Sequence, residues 1–371
     1  MVGAGITGLG HALAAIERGL TVTVLERDAR AVGASVRNFG HACVTAQTGE
    51  LLELALSART VWLRAAAAAG FTARETGGLA VARSAAELAV LEELAGARGE
   101  QVRMLTGDAV RARLGGGDPA ILGGGALRDD LRIDPRAAVA ALAAWLETQP
   151  GVRILWRTSY LGSEDGVVRT SRGRVRARHV IVCAGHDLDL LHPELADAHE
   201  VRRCALQMAL VAPPREHRIE PAVLTGTSML RYPAFAETRA AGALRAELTE
   251  RRPDLVGIGA NVMFTQRPDG SLIVGDSHAY DLAHPPFLDE TTSQTLLAEI
   301  ARILDVPGLR VLQRWQGVYA SSARQPFLVA HPQPGLTVVT ISSGVGMTIA
   351  LGLAQRVLDE LGAGTLAASG A

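Results

Sequence analysis

The chain begins with Val2-Gly3-Ala4-Gly5-Ile6-Thr7-Gly8, a G-x-G-x-x-G motif that leads into a helical run from Leu9 to Arg18. Glycines at this spacing allow a tight turn, a close approach of the backbone to a pyrophosphate, and close packing of helix on strand. A strand over residues 21–25 follows and ends at Glu26, where a carboxylate can accept the ribose hydroxyls of an adenosine. This order of elements predicts a dinucleotide-binding site in a Rossmann-like fold.

The segment before the motif is short. Only Met1 and Val2 precede Gly3, whereas the first strand of such a fold normally carries several apolar residues. A two-residue strand in the middle of a parallel sheet would leave backbone groups of its neighbours unpaired. We therefore expect a misassigned or trimmed start and, if the short strand is native, lower stability and weaker retention of the nucleotide.

The composition predicts a globular enzyme with a small-molecule substrate. The 371 residues suffice for two domains, and 48% of them are hydrophobic, which allows a large core. A net charge of -1 argues against a nucleic-acid partner or a charged membrane surface. The three cysteines are widely spaced, so neither a disulfide framework nor a metal site is predicted. We find neither a targeting signal nor an apolar run long enough to span a membrane, and we expect a cytoplasmic protein.

Two further segments have the pattern of ligand-binding loops. Residues 27–41 are rich in turn formers and lack periodicity, as expected of a loop that wraps a ligand. Near the carboxyl terminus, a strand at 338–342 is followed by the turn Ser343-Gly344-Val345-Gly346 and a helix to about residue 361. Backbone N–H groups at such a helix start stabilise negative charge on a bound group.

The middle of the chain mixes helices with strands. Helices are predicted at residues 48–70, 85–96, 134–148 and 292–304, and strands at 77–82, 152–156, 166–170, 175–185, 207–211, 228–232, 261–265 and 271–275. The turn Arg267-Pro268-Asp269-Gly270 joins the last two strands as a hairpin, so residues 200–315 are expected to form an antiparallel sheet. The glycine runs Gly115–Gly117 and Gly123–Gly125 are predicted to be loops.

Residues 26–40 match a known signature. They resemble the E-R-x(5)-G-A-S-x-R-N-x-G pattern of the D-amino-acid oxidase, glycine oxidase and sarcosine oxidase family of flavoproteins. The strand-turn-helix around Gly344 resembles the second flavin motif of the same family, so the resemblance spans almost the whole chain. It implies an α/β plus α+β fold in which a Rossmann-like FAD-binding domain is interleaved with an antiparallel-sheet substrate domain. The implied domains are 1–76, 132–190 and 316–371 for FAD, and 77–131 and 191–315 for the substrate.

The resemblance also implies a cofactor and its ligands. FAD would be held by Gly3, Gly5, Ile6, Thr7, Gly8, Glu26, Arg27, Ala34, Ser35, Arg37, Asn38, Ala184, Gly185, Gly344, Val345, Gly346, Met347 and Thr348. Members of the family oxidise a C–N bond by hydride transfer from the α-carbon to flavin N5, and water then hydrolyses the imine. The implied partners are a small-molecule amine and either O2 or another electron acceptor.

Three departures from the family pattern bear on this chemistry. Gly317-Val318-Tyr319 stands where amino-acid oxidases carry a G-x-R whose arginine pairs with the substrate carboxylate, and Tyr319 resembles the substrate-side tyrosine of sarcosine oxidases. The cysteine that bonds the flavin in sarcosine oxidases is missing before Tyr319, which predicts dissociable FAD. Thr348 replaces the lysine that assists oxygen activation, and the sequence contains no lysine. Arg37, His41 or His278 must then supply that charge, or another acceptor takes the electrons.

Four side chains are candidate catalytic or substrate-binding groups: His278, Tyr319, His41 and Arg231. His278 falls where the family carries an active-site histidine, and a histidine can take an amine proton near neutral pH. A satisfied surface histidine is the alternative. His41 directly follows the flavin loop and is equally well explained as a structural residue. Arg231 is predicted on a ligand-facing strand, where it either binds an anionic group or is solvated.

Two segments together point to a substrate. The loop Ser35-Val36-Arg37-Asn38-Phe39-Gly40 and the segment Gly275-Asp276-Ser277-His278-Ala279-Tyr280 resemble a subgroup of these flavoproteins associated with aminophosphonate breakdown. This implies aminoethylphosphonate or its N-methyl derivative. The alternatives are a secondary amine or a carboxylate substrate such as sarcosine, glycine or a D-amino acid. A flavin hydroxylase, which needs a further nucleotide or D-G motif not found here, and a non-catalytic or tRNA-modification-associated flavoprotein are more distant alternatives.

Overall fold

The computed structural model describes residues 1–368, with side chains to residue 362. The helices are α1 (Ile6–Ile16), α2 (Gly49–Ala69), α3 (Ala85–Arg98), α4 (Gly107–Leu114), α5 (Pro135–Glu147), α6 (Leu188–Leu191), α7 (Pro193–Ala198), α8 (Gly226–Met229), α9 (Pro233–Ala236), α10 (Ala241–Arg251), α11 (Pro253–Gly257), α12 (Glu290–Leu304) and α13 (Gly346–Ala368). The strands are β1 (Val22–Leu25), β2 (His41–Ala42), β3 (Ala73–Arg74), β4 (Gly78–Ala82), β5 (Val102–Thr106), β6 (Gly123–Leu127), β7 (Leu131–Ile133), β8 (Val152–Leu155), β9 (Tyr160–Glu164), β10 (Val167–Thr170), β11 (Gly173–Arg176), β12 (Val180–Val182), β13 (Arg202–Val211), β14 (Ala222–Leu224), β15 (Met263–Gln266), β16 (Leu272–Gly275), β17 (Ala279–Asp281), β18 (Val311–Ser321), β19 (Phe327–Gln333) and β20 (Leu336–Ile341).

A parallel sheet is built around Val2. Strand β1 pairs in parallel with β8, and β12 pairs in parallel with β20. Val2 forms parallel bridges to both Leu25 and Val182 and so joins the two halves. The N–H of Val2 donates to the carbonyl oxygen of Ile181 at 2.8 Å, and its carbonyl accepts from the N–H of Cys183 at 2.8 Å. The segment before Gly3 is short, yet Val2 is paired on both sides, with Leu25 and with Val182.

Four long helices cover this sheet. The apolar faces of α1, α2, α5 and α13 form one core with the strands, and it includes Leu9, Trp62 and Leu142. The backbone of α13 approaches that of α2 closely, since a Cβ atom on Gly352 would lie 2.1 Å from the carbonyl oxygen of Leu54. The predicted helices at 48–70 and 134–148 are confirmed, and Asp134 caps the second by accepting from the N–H of Arg136 at 3.0 Å.

A larger sheet forms the second layer. Within residues 1–368 it contains nine strands, in which β18 pairs with β13, β13 with both β16 and β17, and the sheet continues through β15, β14, β4, β6 and β5. All of these pairs are antiparallel except β4 with β14, which confirms the predicted antiparallel sheet. One face packs on α12, whose Leu296 and Ile300 are buried there. The opposite face looks toward the parallel sheet.

Three predicted elements are wrong. Gly123–Gly125 belongs to β6, where a Cβ atom on Gly124 would lie 2.5 Å from the carbonyl oxygen of Ala80, so glycine allows close strand pairing. The predicted strand 228–232 is instead helix α8 and a turn, and Ser228 Oγ accepts from the N–H of Thr225 at its start. The strand predicted at 175–185 is divided into the end of β11 and β12.

The predicted domain boundaries remain predictions. Strand β18 pairs with β13 from Val311 to Ser321, so the boundary expected between residues 315 and 316 falls inside a strand of the larger sheet. No helix in residues 1–368 is long and apolar enough to cross a membrane.

Candidate functional site

A cavity of about 490 Å³ lies between the two sheets. At one end it is lined by Gly3, Gly5 and Glu26, and at the other by His278 and Tyr319. Residues from the amino-terminal part of the chain and residues from its carboxyl-terminal half therefore line the same cavity.

The amino-terminal end of this cavity is suited to a pyrophosphate. Gly5 is the N-cap residue of α1, and no side chain caps the helix there. Ser35 Oγ accepts from the N–H of Ile6 at 2.9 Å, which ties the loop after β1 to this helix start. A Cβ atom on Gly5 would lie 3.0 Å from that Oγ. Apart from this hydrogen bond to Ser35, the positive end of the helix dipole faces the cavity.

Glu26 is held rigidly beside this helix start. Its Oε2 accepts from the N–H of Ala4 at 2.7 Å, and its Oε1 accepts from the N–H of Asp28 at 3.0 Å. The residue is only 9% exposed. Each oxygen keeps a lone pair, which fits two hydroxyls of an adenosine ribose.

We expect Glu26→Gln to weaken FAD binding about tenfold or more, because the amide nitrogen of glutamine would face a backbone N–H donor and the charge-assisted bonds would be lost. The measurement is a fluorescence titration of the apoprotein with FAD. Glu53→Gln, on the exposed side of α2, is the matched control and should bind FAD as the wild type does. Unchanged FAD affinity in Glu26→Gln would contradict this role.

The other helix start is that of α13. Gly344, Val345, Gly346 and Met347 line the cavity just before and at this start. Gly344 has a φ of +75°, and a Cβ atom on it would lie 3.0 Å from the hydroxyl oxygen of Tyr319. Glycine therefore permits both the left-handed turn and the contact with the large sheet. The helix dipole here can stabilise negative charge on a reduced isoalloxazine ring.

Strand register explains the opposite wall. Cys204 on β13 is paired with Tyr280 on β17 and with Tyr319 on β18. Two residues further along β13, Leu206 is opposite Gly317, where a Cβ atom would come within 3.3 Å of the carbonyl oxygen of Arg37. Because side chains alternate along a strand, these residues share the face that looks into the cavity.

Arg231 lies in the turn after α8 and lines the same wall. Its Nη2 donates to the hydroxyl of Tyr280 at 3.2 Å. Among residues 1–362, no carboxylate oxygen lies within 4.0 Å of its guanidinium. Burial acts to lower the Arg231 pKa, but Tyr319, Tyr280 and Asp276 together raise it above its ordinary value. The cavity thus contains a fully charged arginine without a carboxylate partner.

The segment around His278 brings an acid and a base together. His278 Nδ1 is 2.9 Å from the carbonyl oxygen of Gly259, and Nε2 is 4.0 Å from Asp276 Oδ2. Burial, assisted by the charge of Arg231, lowers the His278 pKa well below its usual range, so the ring is neutral. Burial raises the Asp276 pKa to about 7. The sequence motif contained Asp276, but only its burial shows that its carboxyl titrates near neutral pH.

The raised pKa makes Asp276 a destabilising residue at high pH. Between about pH 4 and pH 7 the folded protein binds a proton that the unfolded chain releases, so stability falls as the pH rises through this range. Above pH 7 we expect Asp276→Asn to raise the free energy of unfolding of the holoprotein by up to roughly 4 kcal/mol, and therefore to raise its melting temperature. Near about pH 4 the substitution should change the melting temperature little. Thermal denaturation across this pH range tests the sign.

The exposed Asp197 provides the control for this pH series, because Asp197→Asn makes the same chemical change on the surface of α7. Its melting temperature should follow the wild type at every pH. A lower melting temperature for Asp276→Asn above pH 7 would show that the carboxylate is stabilised by partners in the folded protein.

The cavity brings together most of the residues predicted for the site. Lining it are Gly3, Gly5, Ile6, Thr7, Glu26, Arg27, Ala34, Ser35, Arg37, Asn38, Ala184, Gly185, Gly344, Val345, Gly346, Met347, Arg231, His278 and Tyr319. Gly8, His41 and Thr348 do not line it. The cavity is also lined by residues that were not predicted as site residues, among them Tyr232, Asn261 and Asp276. Tyr232 and Asp276 lie within segments that the sequence patterns had marked, and Asn261 begins a predicted strand.

The three residues outside the cavity have structural contacts. A Cβ atom on Gly8 would lie 1.9 Å from the carbonyl oxygen of Gly3. His41 Nε2 is 2.8 Å from Asp130 Oδ2, and both side chains are buried. Thr348 Oγ1 accepts from the N–H of Cys43 at 3.1 Å. His41 is therefore not positioned to place a positive charge against a ligand in the cavity.

Of the three side chains considered for oxygen activation, Arg37 and His278 line the cavity. Arg37 Nη1 donates to the carbonyl oxygen of Gln316 at 3.1 Å. His278 is neutral because burial lowers its pKa. Arg231, which the sequence predicted only as an anion-binding residue, is a further positive charge at the cavity.

Two helix starts, the carboxylate of Glu26 and glycine turns surround one cavity, an arrangement that fits a dinucleotide cofactor. The family model DAO, described as FAD dependent oxidoreductase, matches residues 1–360, and the chain belongs to this family and uses FAD. No curated protein matches the sequence.

Solved structures show the same fold. Glycine oxidase from Geobacillus kaustophilus is 17% identical, with a TM-score of 0.77 over 97% of this chain and 92% of that one. L-proline dehydrogenase from P. horikoshii is 17% identical, with a TM-score of 0.78 over 98% and 92%. Iminodiacetate oxidase from Chelativorans sp. BNC1 is 18% identical, with a TM-score of 0.72 over 96% and 93%. These similarities confirm the predicted fold class, and the family match over residues 1–360 confirms the predicted family.

Proposed function

We propose that the protein oxidises the C–N bond of a small amine that carries an anionic group, specifically an aminophosphonate such as 2-aminoethylphosphonate or its N-methyl derivative. The observation that carries this proposal is the position of Arg231 in the cavity, together with a tyrosine at residue 319. By the sequence resemblance, Tyr319 stands where amino-acid oxidases carry the carboxylate-binding arginine. Arg231, on a different segment, lines the cavity without a carboxylate partner among residues 1–362. A guanidinium presents several N–H donors in a fork that matches phosphonate oxygens.

The protein side chains would bind and orient this substrate. Arg231 binds the anion, and the Tyr319 hydroxyl is a further hydrogen-bonding group on the same wall. FAD, held non-covalently by the two glycine turns and Glu26, would supply the hydride acceptor for the C–N oxidation. The apolar side chains of Leu206 and Met208 face the same way and help to exclude bulk water.

Anaerobic reduction of the purified holoprotein tests this function. The panel contains glycine, sarcosine, D-alanine, 2-aminoethylphosphonate and its N-methyl derivative, and loss of flavin absorbance reports reduction. We expect the phosphonates to bleach the flavin and the carboxylates to do so at least tenfold more slowly. Bleaching by no member of the panel would overturn the proposal.

A carboxylate substrate is the second candidate, because structural neighbours include a glycine oxidase and an iminodiacetate oxidase. Sarcosine, glycine or D-alanine would then bleach the flavin fastest, and Arg231 or Arg37 would bind the carboxylate. The same panel separates the two candidates.

The electron acceptor is proposed to be O2 or a second redox partner, with Arg37 and Arg231 as the positive charges beside the flavin. Mixing reduced holoprotein with air-saturated buffer and following the return of flavin absorbance distinguishes the two. We place the protein in the cytoplasm, which the free and buried thiols of Cys43, Cys183 and Cys204 support.

A further inference from the structure

Asp276 is an acid on the cavity wall with an unused oxygen. Its side chain is 5% exposed, and its Oδ1 has no hydrogen-bond partner in residues 1–362. The backbone is fixed by a reciprocal pair of hydrogen bonds with Asn261, of 2.8 Å and 2.9 Å. Apart from a side-chain hydrogen bond with Asn261, the carboxyl has few donors for a buried carboxylate. A ligand cation beside Oδ2, the oxygen nearer to His278, would supply a further donor.

His278 provides a second acceptor opposite this carboxyl. Its Nδ1–H is directed to the carbonyl oxygen of Gly259, so Nε2 carries the lone pair. Nε2 and Asp276 Oδ2 are 4.0 Å apart, which is too far for a direct hydrogen bond. A nitrogen with two or more N–H groups can sit about 2.8 Å from each of them. The geometry fits an ammonium group.

The other groups around Asp276 do not compete for this role. Arg231, Tyr232 and Cys204 are the remaining titratable groups close enough to interact with its charge. Burial raises the pKa of the Tyr232 hydroxyl well above its usual range and that of the Cys204 thiol to about 11, so both stay neutral near pH 7. Arg231 is charged but lies beyond 4.0 Å from the carboxylate.

We propose that Asp276 is a catalytic residue that binds the substrate ammonium and accepts one of its protons. This proposal rests on the proposed amine oxidation. An N–H bond of the ammonium breaks as an O–H bond forms on the Asp276 carboxylate, and the electron pair stays on nitrogen. The neutral amine can then release the α-hydrogen as hydride to FAD, leaving an iminium ion with the nitrogen lone pair in the new C=N bond. The proton on Asp276 returns to solvent after the product leaves.

The raised pKa strengthens the carboxylate as a base. The Asp276 pKa of about 7 is about three pKa units above that of an ordinary aspartate. It is therefore closer to the pKa of an alkylammonium, which favours proton transfer to the carboxylate. The same wall carries Arg231, so the site selects a substrate with both a cation and an anion. The penalty that Asp276 imposes on folding is then the consequence of a catalytic requirement.

Binding of an amine-free anion tests the ionisation directly. The probe is acetate, which stays a monoanion throughout the titration of the holoprotein between about pH 6 and pH 9, and the shift in flavin absorbance is the readout. An ionised Asp276 repels an anion in the cavity, so wild-type affinity should fall about tenfold across this range. In Asp276→Asn, affinity should not change with pH around 7. A pH-independent wild type, or an unchanged pH dependence in the variant, would overturn the proposal.

The rate of flavin reduction tests the proton transfer. At about pH 7, Asp276→Asn should be reduced about 100-fold more slowly than the wild type by the best amine of the panel. Its rate should recover at higher pH in proportion to the free amine. Asp281→Asn, on exposed β17, is the control and should match the wild type. An Asp276→Asn reduction rate within threefold of the wild-type rate at about pH 7 would exclude Asp276 as the base. If no amine reduces the flavin of the wild type, the proposed function itself is excluded.

Discussion

Replacing Gly8 with alanine is expected to destabilise the protein by about 3 kcal/mol or more and to abolish FAD retention. The new methyl group would lie 1.9 Å from the carbonyl oxygen of Gly3 and 3.0 Å from its carbonyl carbon. Both are backbone atoms of the glycine turn, so no side-chain rotation can relieve the contact. Helix α1 would have to move away from the turn, and its N-terminus would leave the position that faces the cavity.

Gly96→Ala is the matched control, because Gly96 lies in the exposed part of α3, where a methyl group would have no other atom within 4 Å. The same change there should stabilise the helix by roughly 0.5–1 kcal/mol, since alanine has the higher helix propensity. Melting temperature and bound FAD per chain are the measurements. Wild-type values of both in Gly8→Ala would show that the helix start tolerates displacement.

Local sequence was sufficient to predict the nucleotide end of the site. The motif around Gly3 and Gly5 and the acid at Glu26 lie on one strand-helix-strand unit, so spacing along the chain determines their positions in space. The family and the fold class were predicted correctly for the same reason, since a second motif at Gly344 pointed to the same cofactor.

The substrate end could not be predicted in this way. Asp276, Asn261 and Arg231 come from different segments, and their proximity depends on the order and register of strands in the large sheet. Their protonation depends on burial, which is a property of the assembled layers rather than of a motif. The glycines of β6 were misread because glycine usually marks a loop, whereas here Gly124 permits close packing against β4 and α4.

Arg231→Met is expected to lower kcat/KM for the best anionic amine by about 10²- to 10³-fold, because a partly buried, charge-assisted contact contributes about 3–4 kcal/mol. The fold should persist, because the Arg231 guanidinium has no carboxylate partner among residues 1–362. Its removal therefore leaves no carboxylate that has lost an ion pair. Arg231→Lys should recover only part of the loss, because an ammonium retains the charge but not the planar fork. Anaerobic flavin reduction and ethylphosphonate binding provide the two readouts.

Arg202→Met, at the exposed start of β13 and outside the cavity, makes the same chemical change and should leave both readouts unchanged. The decisive comparison uses ethylamine, which has no anionic group. If Arg231 acts by binding an anion, its replacement lowers the rate with the anionic amine but not with ethylamine. An equal loss for both amines would instead mean that Arg231 acts on the flavin or on the amine, since only those groups are common to the two reactions.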